Sequence, residues 1–349
     1  MQQTLKKGAK LLVIALGILA VALPPNPTWI ERAYVNGAYP AWEHFAVSVT
    51  APLPWSLGDV AFLAGSVALV WRIVAFVRAP RRRRSMVNAA LTCVAIVALY
   101  AVWFTLSWGW NYARAPLESR VSFDARRITP DAAVKLRARA IAQLNALAAA
   151  AHSRASVPLD TAALYSAWLP AVMRAGNDWT ALVSLPKPTL ADPFMVASGT
   201  SGFINPLTLN VALASDLLWF ERPFDLAHEW SHDAAYARED EANYLAILAC
   251  LRSPDPAVQY SGWFELFLYL PQARHYARRE FVPLVWRDFA ALRERNARHI
   301  NVLVAHWSWR TYNAYLKTNR VAAGIANYDQ VTRLMLGVAL DRRLLPLAR

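Results

Sequence analysis

Cysteine is scarce in this sequence. Among 349 residues there are only two, Cys93 within an apolar run and Cys250 in a segment with a helical pattern. Neither cysteine has a nearby partner or the spacing of a zinc knuckle. The sequence therefore excludes a disulfide-stabilised scaffold and a thiolate metal site.

Charged residues are also few, at 17% of the chain, whereas 56% of the residues are hydrophobic. This balance argues against a wholly soluble protein and predicts a membrane component. Acidic residues are outnumbered 24 to 37 by lysine and arginine, which gives a formal net charge of +13. Part of this excess, Arg78 and Arg81–Arg84, lies between two apolar stretches, as in a membrane-orienting loop. Because the sequence has no recognisable RNA- or DNA-binding motif, we expect no nucleic-acid partner.

Three apolar runs, at about 11–23, 56–77 and 87–108, predict two or three transmembrane helices in a membrane region spanning residues 1–110. The first run is short and follows three lysines, so it is either a membrane helix or the core of a signal peptide. Both interpretations place the basic loop 78–86 in the cytoplasm and residues 111–349 outside it. We therefore expect a multi-pass protein of the bacterial inner membrane with an extracytoplasmic domain.

That domain has mainly helical patterning. Helices are predicted from Thr129 to about 151 and from about 161 to 174. Prolines interrupt the pattern between 181 and 214, where β-prone segments at 181–185, 194–196 and 202–204 predict a small sheet. Helices resume from about 224, with breaks at 253–256 and near Gly324. With no internal repeat or linker, residues 111–349 are expected to form one domain.

Residues 228–232 read His-Glu-Trp-Ser-His. On a helix, His228 and His232 project from the same face one turn apart and can share one metal ion. Glu229 can then take a proton from a water in the open position of a Zn²⁺ ion and return it to a leaving amine. The motif predicts a zinc site with Glu229 as the catalytic base.

A catalytic zinc site of this kind needs a third protein ligand. Glu239 and Glu241 both follow the second histidine, but they point about 200° apart on a helix, so only one can be the ligand. An unbroken helix would put Glu239 about 10.5 Å from His232 along its axis, too far for shared coordination. The chain must therefore bend between Asp233 and Arg238. Asn243 shares a face with Glu239 and could orient a ligating histidine.

Three blocks of the sequence resemble the DUF3810 membrane proteins, a family related to the HExxH zinc peptidases. The blocks are residues 108–117 (WGWNYARAPL), 223–243 and 312–319 (YNAYLKTN). With the membrane region, the resemblance extends over nearly the whole chain.

The resemblance implies a mainly α protein whose transmembrane helices precede a zincin-like α+β metallopeptidase domain with a small sheet. It also implies a gluzincin-like site with His228 and His232 as ligands and Glu229 as base. Comparison with HExxH membrane peptidases that carry a Glu-x-x-Ala-Asp motif assigns the third ligand to Glu239, with Glu241 as the alternative ligand. Asn243 then stands in the place of their aspartate.

Further implications concern the bend and the substrate. The family usually has glycine at the bend, where this chain has Ala235, and alanine in a left-handed conformation costs about 1–2 kcal/mol. Tyr312 and Tyr315 are candidate donors to a transition-state oxyanion. Residues 202–205 are a candidate edge strand for an extended substrate.

The sequence thus predicts a membrane-anchored, zinc-dependent metallopeptidase that hydrolyses peptide bonds with a Glu-activated, zinc-bound water. Its expected cofactor is Zn²⁺, and its expected partners are the lipid bilayer and a peptide or protein substrate. The alternative is a catalytically inactive membrane protein whose zincin-like domain serves signalling or envelope assembly.

Overall fold

The structure is a computed structural model that describes residues 2–23, 25–78, 83–271, 278–318 and 330–349. The predicted break near Gly324 and residue Asn319 of the third sequence block lie outside the described residues. Two compact units divide the chain: Met1–Arg114 with Asn205–Asn210, and Ala115–Ile204 with Val211–Arg349.

The first unit is helical. Its α-helices are α1 (Gln2–Ala22), α2 (Pro27–Trp29), α3 (Tyr39–Thr50), α4 (Leu57–Arg78) and α5 (Arg83–Ser107). A π-helix, Ile30–Ala38, joins α2 to α3, and a 3-10 helix, Gly109–Ala113, follows α5. The helical segment from Pro27 to Thr50 was not predicted from the sequence, although it buries Ile30, Val35 and Tyr39 completely.

Two helices of this unit are long and apolar enough to cross a membrane, with candidate spans Leu57–Ala75 and Met86–Ser107. They expose large apolar side chains, such as Trp71 at 74%, which a lipid environment would cover. A third span is possible if the bent pair Lys7–Ala22 and Pro27–Thr50 counts as one. The prediction of two or three membrane-spanning helices therefore agrees with the structure. Residues 79–82 of the predicted basic loop lie outside the described residues.

The second unit carries the remaining elements. Its α-helices are α6 (Leu117–Arg120), α7 (Pro130–Ser153), α8 (Thr161–Arg174), α9 (Asp192–Ser198), α10 (Arg222–Asp233), α11 (Glu239–Arg252), α12 (Pro256–Tyr269), α13 (Pro283–His299), α14 (Val302–Thr318) and α15 (Val331–Gly337). Short 3-10 helices are Ala125–Arg127 and Arg278–Glu280, and the strands are β1 (Gly202–Asn205) and β2 (Asn210–Leu213), of which Asn205 and Asn210 belong to the first unit.

Local capping signals explain why several helices match their predicted bounds. The Thr129 hydroxyl accepts a hydrogen bond from the Ala132 amide at the start of α7. Asp160 caps α8 in the same way through the amide of Ala163. Each cap satisfies an amide that has no partner within its helix. The predicted break at 253–256 is also confirmed, because α11 ends at Arg252 and α12 begins at Pro256.

The predicted small sheet is present as two paired strands, β1 and β2. For two of the three β-prone segments, however, the predicted strand is wrong. Residues 194–196 lie within α9, because Pro193 occupies the first turn of that helix and favours its start. Residues 181–185 form no strand. The second strand, β2, was not predicted.

The helix α11 lies at the centre of the second unit. Its residues from Glu239 to Cys250 are all buried, and it packs against α8, α10 and α12. Glu239 is the first residue of this buried helix. The packing of α11 in the core therefore fixes the position of the Glu239 carboxylate relative to α10.

Candidate metal centre

The helix α10 presents opposite faces to the core and to the candidate site. Its first turn contains Pro223, which is favoured there because its missing amide needs no helical partner. The indole of Trp230 donates a hydrogen bond of 3.0 Å to the carbonyl of Ser184. Ser231 accepts one of 3.0 Å from the indole of Trp168. These two buried contacts fix the rotation of α10, so the two histidines of the motif face away from the core.

His228, His232 and Glu239 come together at the break between α10 and α11. The two Nε2 atoms lie 3.0 Å apart. Glu239 Oε2 is 3.3 Å from His228 Nε2 and 3.6 Å from His232 Nε2. Among the residues that the structure describes, these are the group of His, Cys, Asp and Glu side chains whose ligand atoms could hold one metal ion.

A tight turn makes this meeting possible. The amide of Ala235 donates to the carbonyl of His232, and the amide of Tyr236 donates to that of Ser231. This pair of bonds is the Schellman motif, which requires a left-handed residue just after the helix. Ala235 occupies that position with φ of 70°. The expected bend between Asp233 and Arg238 is thus confirmed, and alanine adopts the conformation for which glycine is the usual residue.

The same turn orients His232. Its Nδ1 lies 2.7 Å from the carbonyl oxygen of Tyr236. Because a carbonyl can only accept, Nδ1 must carry a proton, which leaves Nε2 of the neutral ring free to bind a metal. The turn is itself held by the hydroxyl of Tyr236, which donates to the carbonyl of Val172, and by Asn177, which donates to that of Ala234.

The cluster favours positive charge beside the Glu239 carboxylate. Burial opposes ionisation of Glu239, but His232 and the hydrogen bonds from both histidines outweigh it and hold its pKa well below the usual range. Burial likewise lowers the pKa of His232, but the Glu239 carboxylate more than compensates and raises it to about 9. An ionised carboxylate beside two imidazoles is a donor set that can bind a divalent cation such as Zn²⁺, which displaces the protons of the metal-binding nitrogens.

Glu229 lies beside the cluster and is 4% exposed. Burial raises its pKa, and the nearby histidines offset the effect only in part. Its Oε2 has no hydrogen-bond partner among the described residues. An atom built as the Cβ of Gly202 would lie 2.7 Å from Glu229 Oε1, so the strand β1 can approach this carboxylate only with glycine there.

Of the two predicted tyrosines, the structure brings Tyr312 to the cluster. Its hydroxyl donates to Glu239 Oε1, the oxygen that does not face the histidines. The ring of Tyr315 stacks on that of Tyr312, with the two ring centroids 5.8 Å apart. Tyr312 thereby fixes the orientation of the Glu239 carboxylate.

Glu241, the alternative ligand, has a different set of contacts. Its carboxylate accepts hydrogen bonds from the Leu117 amide at 2.9 Å and from the Arg120 guanidinium at 2.6 Å. Arg120 also lies over the ring of Tyr236, 5.1 Å from its centroid. In the structure Glu241, the alternative ligand, thus lies with Leu117 and Arg120 and is not part of the group formed by His228, His232 and Glu239.

Asn243 is buried one turn after Glu239. Among the described residues, no hydrogen bond joins its side chain to either histidine, and its Nδ2 has no partner. We expected Asn243 to orient a histidine, but the group that contacts the His232 ring is the backbone carbonyl of Tyr236. Sequence reasoning missed that carbonyl and the close approach of Gly202 to Glu229, because contacts made by the backbone have no sequence motif.

A family described as "Protein of unknown function (DUF3810)" matches residues 34–336 of the chain. The chain belongs to the DUF3810 family. Its match includes the break between α10 and α11 and the three candidate ligands His228, His232 and Glu239, so the candidate site lies within the family region of this DUF3810 chain. No curated protein and no solved structure matches the chain.

Proposed function

We propose that this DUF3810 protein is a membrane-anchored, zinc-dependent metallopeptidase with a zincin-like domain. The observation that carries the proposal is the spacing of the three ligand atoms, at 3.0, 3.3 and 3.6 Å. In a tetrahedral zinc site with bonds of about 2.0–2.2 Å, neighbouring ligand atoms lie about 3.3–3.6 Å apart. Two imidazoles and a glutamate are also the ligand set of known zinc peptidases with an open fourth position.

Glu229 supports the catalytic half of the proposal. A bound zinc would act as a Lewis acid and bring the pKa of a water to about 7. Glu229, with its raised pKa and unpaired Oε2 among the described residues, takes the proton of the attacking water. It then delivers this proton to the leaving amine, so that one carboxylate serves as base and acid in turn.

The strand β1 supports a peptide as the substrate. Gly202, at its start, lies against Glu229, and among the described residues the sheet has no third strand. An extended peptide could pair with β1 through backbone hydrogen bonds, which would bring its carbonyl to the cluster. Tyr312 and Tyr315 are the candidate donors to an oxyanion, and the Tyr312 hydroxyl, which donates to Glu239 in the structure, would have to turn towards the substrate to serve as one.

The membrane helices and the basic residues between them support a location. Arg78 and the arginines 81–84 separate two apolar runs and favour the cytoplasmic side. In this arrangement the metal centre lies outside the cytoplasm, in a bacterium on the outer side of the inner membrane. The lipid bilayer and a peptide or protein are then its partners.

Zinc content tests the metal half of the proposal. We expect about one zinc per chain in the purified full-length protein and a strong loss in His228→Ala. His306→Ala provides a matched control, because His306 is an exposed histidine outside the cluster. A wild-type protein that is isolated and reconstituted without zinc, or a His228→Ala variant that keeps it, would contradict the proposal.

Glu229→Gln tests the catalytic half. The variant should bind zinc as the wild type does, since Glu229 is not a ligand, but its rate of peptide cleavage should fall by about 10²–10⁴-fold. Zinc binding without cleavage by the wild-type protein in a broad peptide screen would favour the inactive signalling or assembly role instead.

A further inference from the structure

The helix α14 has one face that the domain uses and one that it does not. On the inner face, Leu316 is completely buried and Tyr312 donates to Glu239. The helix start is also fastened, because the Asn301 side chain caps it and the Asn301 amide donates to the carbonyl of Ala197. These contacts hold α14 on the second unit, so its other face can be assessed as a surface.

The outer face of α14 combines apolar and basic side chains. Its members are Val302, Leu303, His306, Trp307, Arg310 and Lys317. The three apolar residues Val302, Leu303 and Trp307 are 78%, 73% and 62% exposed. The Arg310 guanidinium lies 5.7 Å from the centre of the Trp307 ring. The helix α9 packs against α14 and adds a further exposed apolar side chain, Phe194, which is 54% exposed. Exposed apolar patches of this kind mark interaction sites.

We infer that the outer face of α14 docks on the surface of the lipid bilayer. Tryptophan favours the interface between hydrocarbon and water, and valine and leucine favour the acyl boundary below it. Arg310 and Lys317, on the same face, are complementary to anionic headgroups.

We assign a lipid bilayer, rather than a protein, to this face because the same chain carries candidate membrane-spanning helices. Three large apolar residues bury little area, so this face alone would bind lipid weakly. The candidate spans in α4 and α5 tether the domain to a membrane, and tethering converts weak contact into a high local concentration. A protein partner would have to supply acidic and apolar groups that nothing in the chain indicates.

The docking has a consequence for the substrate, which rests on the proposed function. Tyr312 and Trp307 lie on opposite sides of the same helix, so α14 joins the bilayer surface to the carboxylate of Glu239. The peptidase would therefore act on peptide segments at the membrane surface rather than on peptides in bulk solution.

Spin-label accessibility tests the docking on the full-length chain in vesicles that contain phosphatidylglycerol. The label is attached at Leu303→Cys after the exposed Cys93 is replaced by serine, and the buried Cys250 is kept. The control label is at Val134→Cys on α7, another apolar residue, which is 61% exposed. We expect the label at 303 to collide readily with oxygen and poorly with a water-soluble nickel chelate, and the label at 134 to show the opposite.

Charge removal gives a second, independent measurement. Arg310→Gln and Lys317→Gln should each lower the ratio of docked to undocked label about fivefold in these vesicles. Lys135→Gln on α7 should leave the ratio unchanged. Equal nickel accessibility at positions 303 and 134 would overturn the inference. Protection that appears only at high protein-to-lipid ratios would also overturn it, because contact between copies would then cover the face.

The same labels in the His228→Ala background separate the two proposals. Docking does not require the metal, so protection at position 303 should persist there. Loss of zinc with retained protection at position 303 would contradict the metal-independent part of neither proposal and agrees with the docking. Zinc binding without protection at position 303 would contradict the docking and leave the proposed zinc site unaffected.

Discussion

A single alanine allows the chain to return Glu239 to the two histidines. Ala235 has φ of 70°, a conformation that costs a residue with a Cβ atom about 1–2 kcal/mol. The turn persists because its two hydrogen bonds and the buried contacts of Tyr236 overcome this cost. Strain of this kind is often found at functional sites.

Ala235→Gly should therefore raise the free energy of unfolding. Glycine relieves the left-handed strain but costs about 0.5–1 kcal/mol in chain entropy, so a net gain of about 0.5–1 kcal/mol is expected. Thermal unfolding of the purified protein in detergent measures the effect. Ala234→Gly is the matched control, since Ala234 has φ of −79° and gains no relief. A lower melting temperature for Ala235→Gly than for Ala234→Gly would argue against strain at this turn.

The effect of the Tyr312 hydroxyl on the candidate zinc site can be tested apart from that of the histidines. This hydroxyl holds Glu239 Oε1, so that Oε2 faces the histidines. Groups that orient metal ligands typically change metal affinity by about 10–100-fold when removed. Tyr312→Phe should weaken zinc binding by this factor in a competition titration with a chelator. Tyr315→Phe, which removes the neighbouring hydroxyl, should have little effect, and equal losses in both variants would contradict the assignment.

At this scale the sequence identified the residues whose roles follow from helical spacing. His228, Glu229 and His232 form one motif, and the distance along a helix required a break before Glu239. The Tyr236 carbonyl could not be predicted, because any residue at that position offers the same group. Glu241 remained an alternative because only the folded chain shows that Arg120 and Leu117 occupy its carboxylate.

Among the secondary-structure elements, β1 and α10 approach each other closely where Gly202 meets Glu229. Gly202 lets the strand backbone approach Glu229, since a Cβ there would also lie 2.9 Å from Leu213 and 3.1 Å from the Ala212 carbonyl. The Ala212 carbonyl belongs to the backbone of the paired strand β2, so a Cβ at position 202 would press on that backbone as well as on the Glu229 side chain. The distance between strand and base is thus set by the absence of one side chain.

Gly202→Ala should separate metal binding from catalysis. The added methyl group displaces Glu229 or β1, and a shift of about 1 Å in a catalytic group can cost on the order of 100-fold in rate. The three candidate zinc ligands lie on α10 and α11, so zinc content should be unchanged. Peptide cleavage and zinc content are measured on the same preparation, with Ser201→Ala as the control. Full activity in Gly202→Ala would exclude close contact between β1 and the catalytic base.

Prediction of the elements succeeded where local signals act alone. The caps at Thr129 and Asp160 and the prolines after Arg252 determine helix ends within a few residues. It was wrong for residues 194–196, where β-prone side chains follow an Asp-Pro helix start. It missed β2, because a strand of four residues depends on its pairing with β1 rather than on its own sequence.

On the scale of the whole molecule, the sequence indicates how charge and apolar surface are divided. The helices α4 and α5 expose apolar side chains along their length, as a lipid-facing helix does. The core of the second unit is instead a buried cluster around α11, with Trp168, Trp230 and Phe264 among its completely buried residues. An extended lipid-facing surface and a separate buried core are the pattern of a membrane-anchored domain.

The arginines between the two apolar runs predict on which side of the membrane the candidate metal centre lies. Arginine-rich loops remain in the cytoplasm, so the chain after α5 should emerge on the opposite side. Alkaline phosphatase fused after Arg349 should be active, because that enzyme folds only outside the cytoplasm. The same enzyme fused after Arg78 should be inactive, and green fluorescent protein at the two positions should give the reverse pattern. A fluorescent fusion after Arg349 without phosphatase activity would place the domain inside and exclude an extracytoplasmic peptidase, whatever its zinc content.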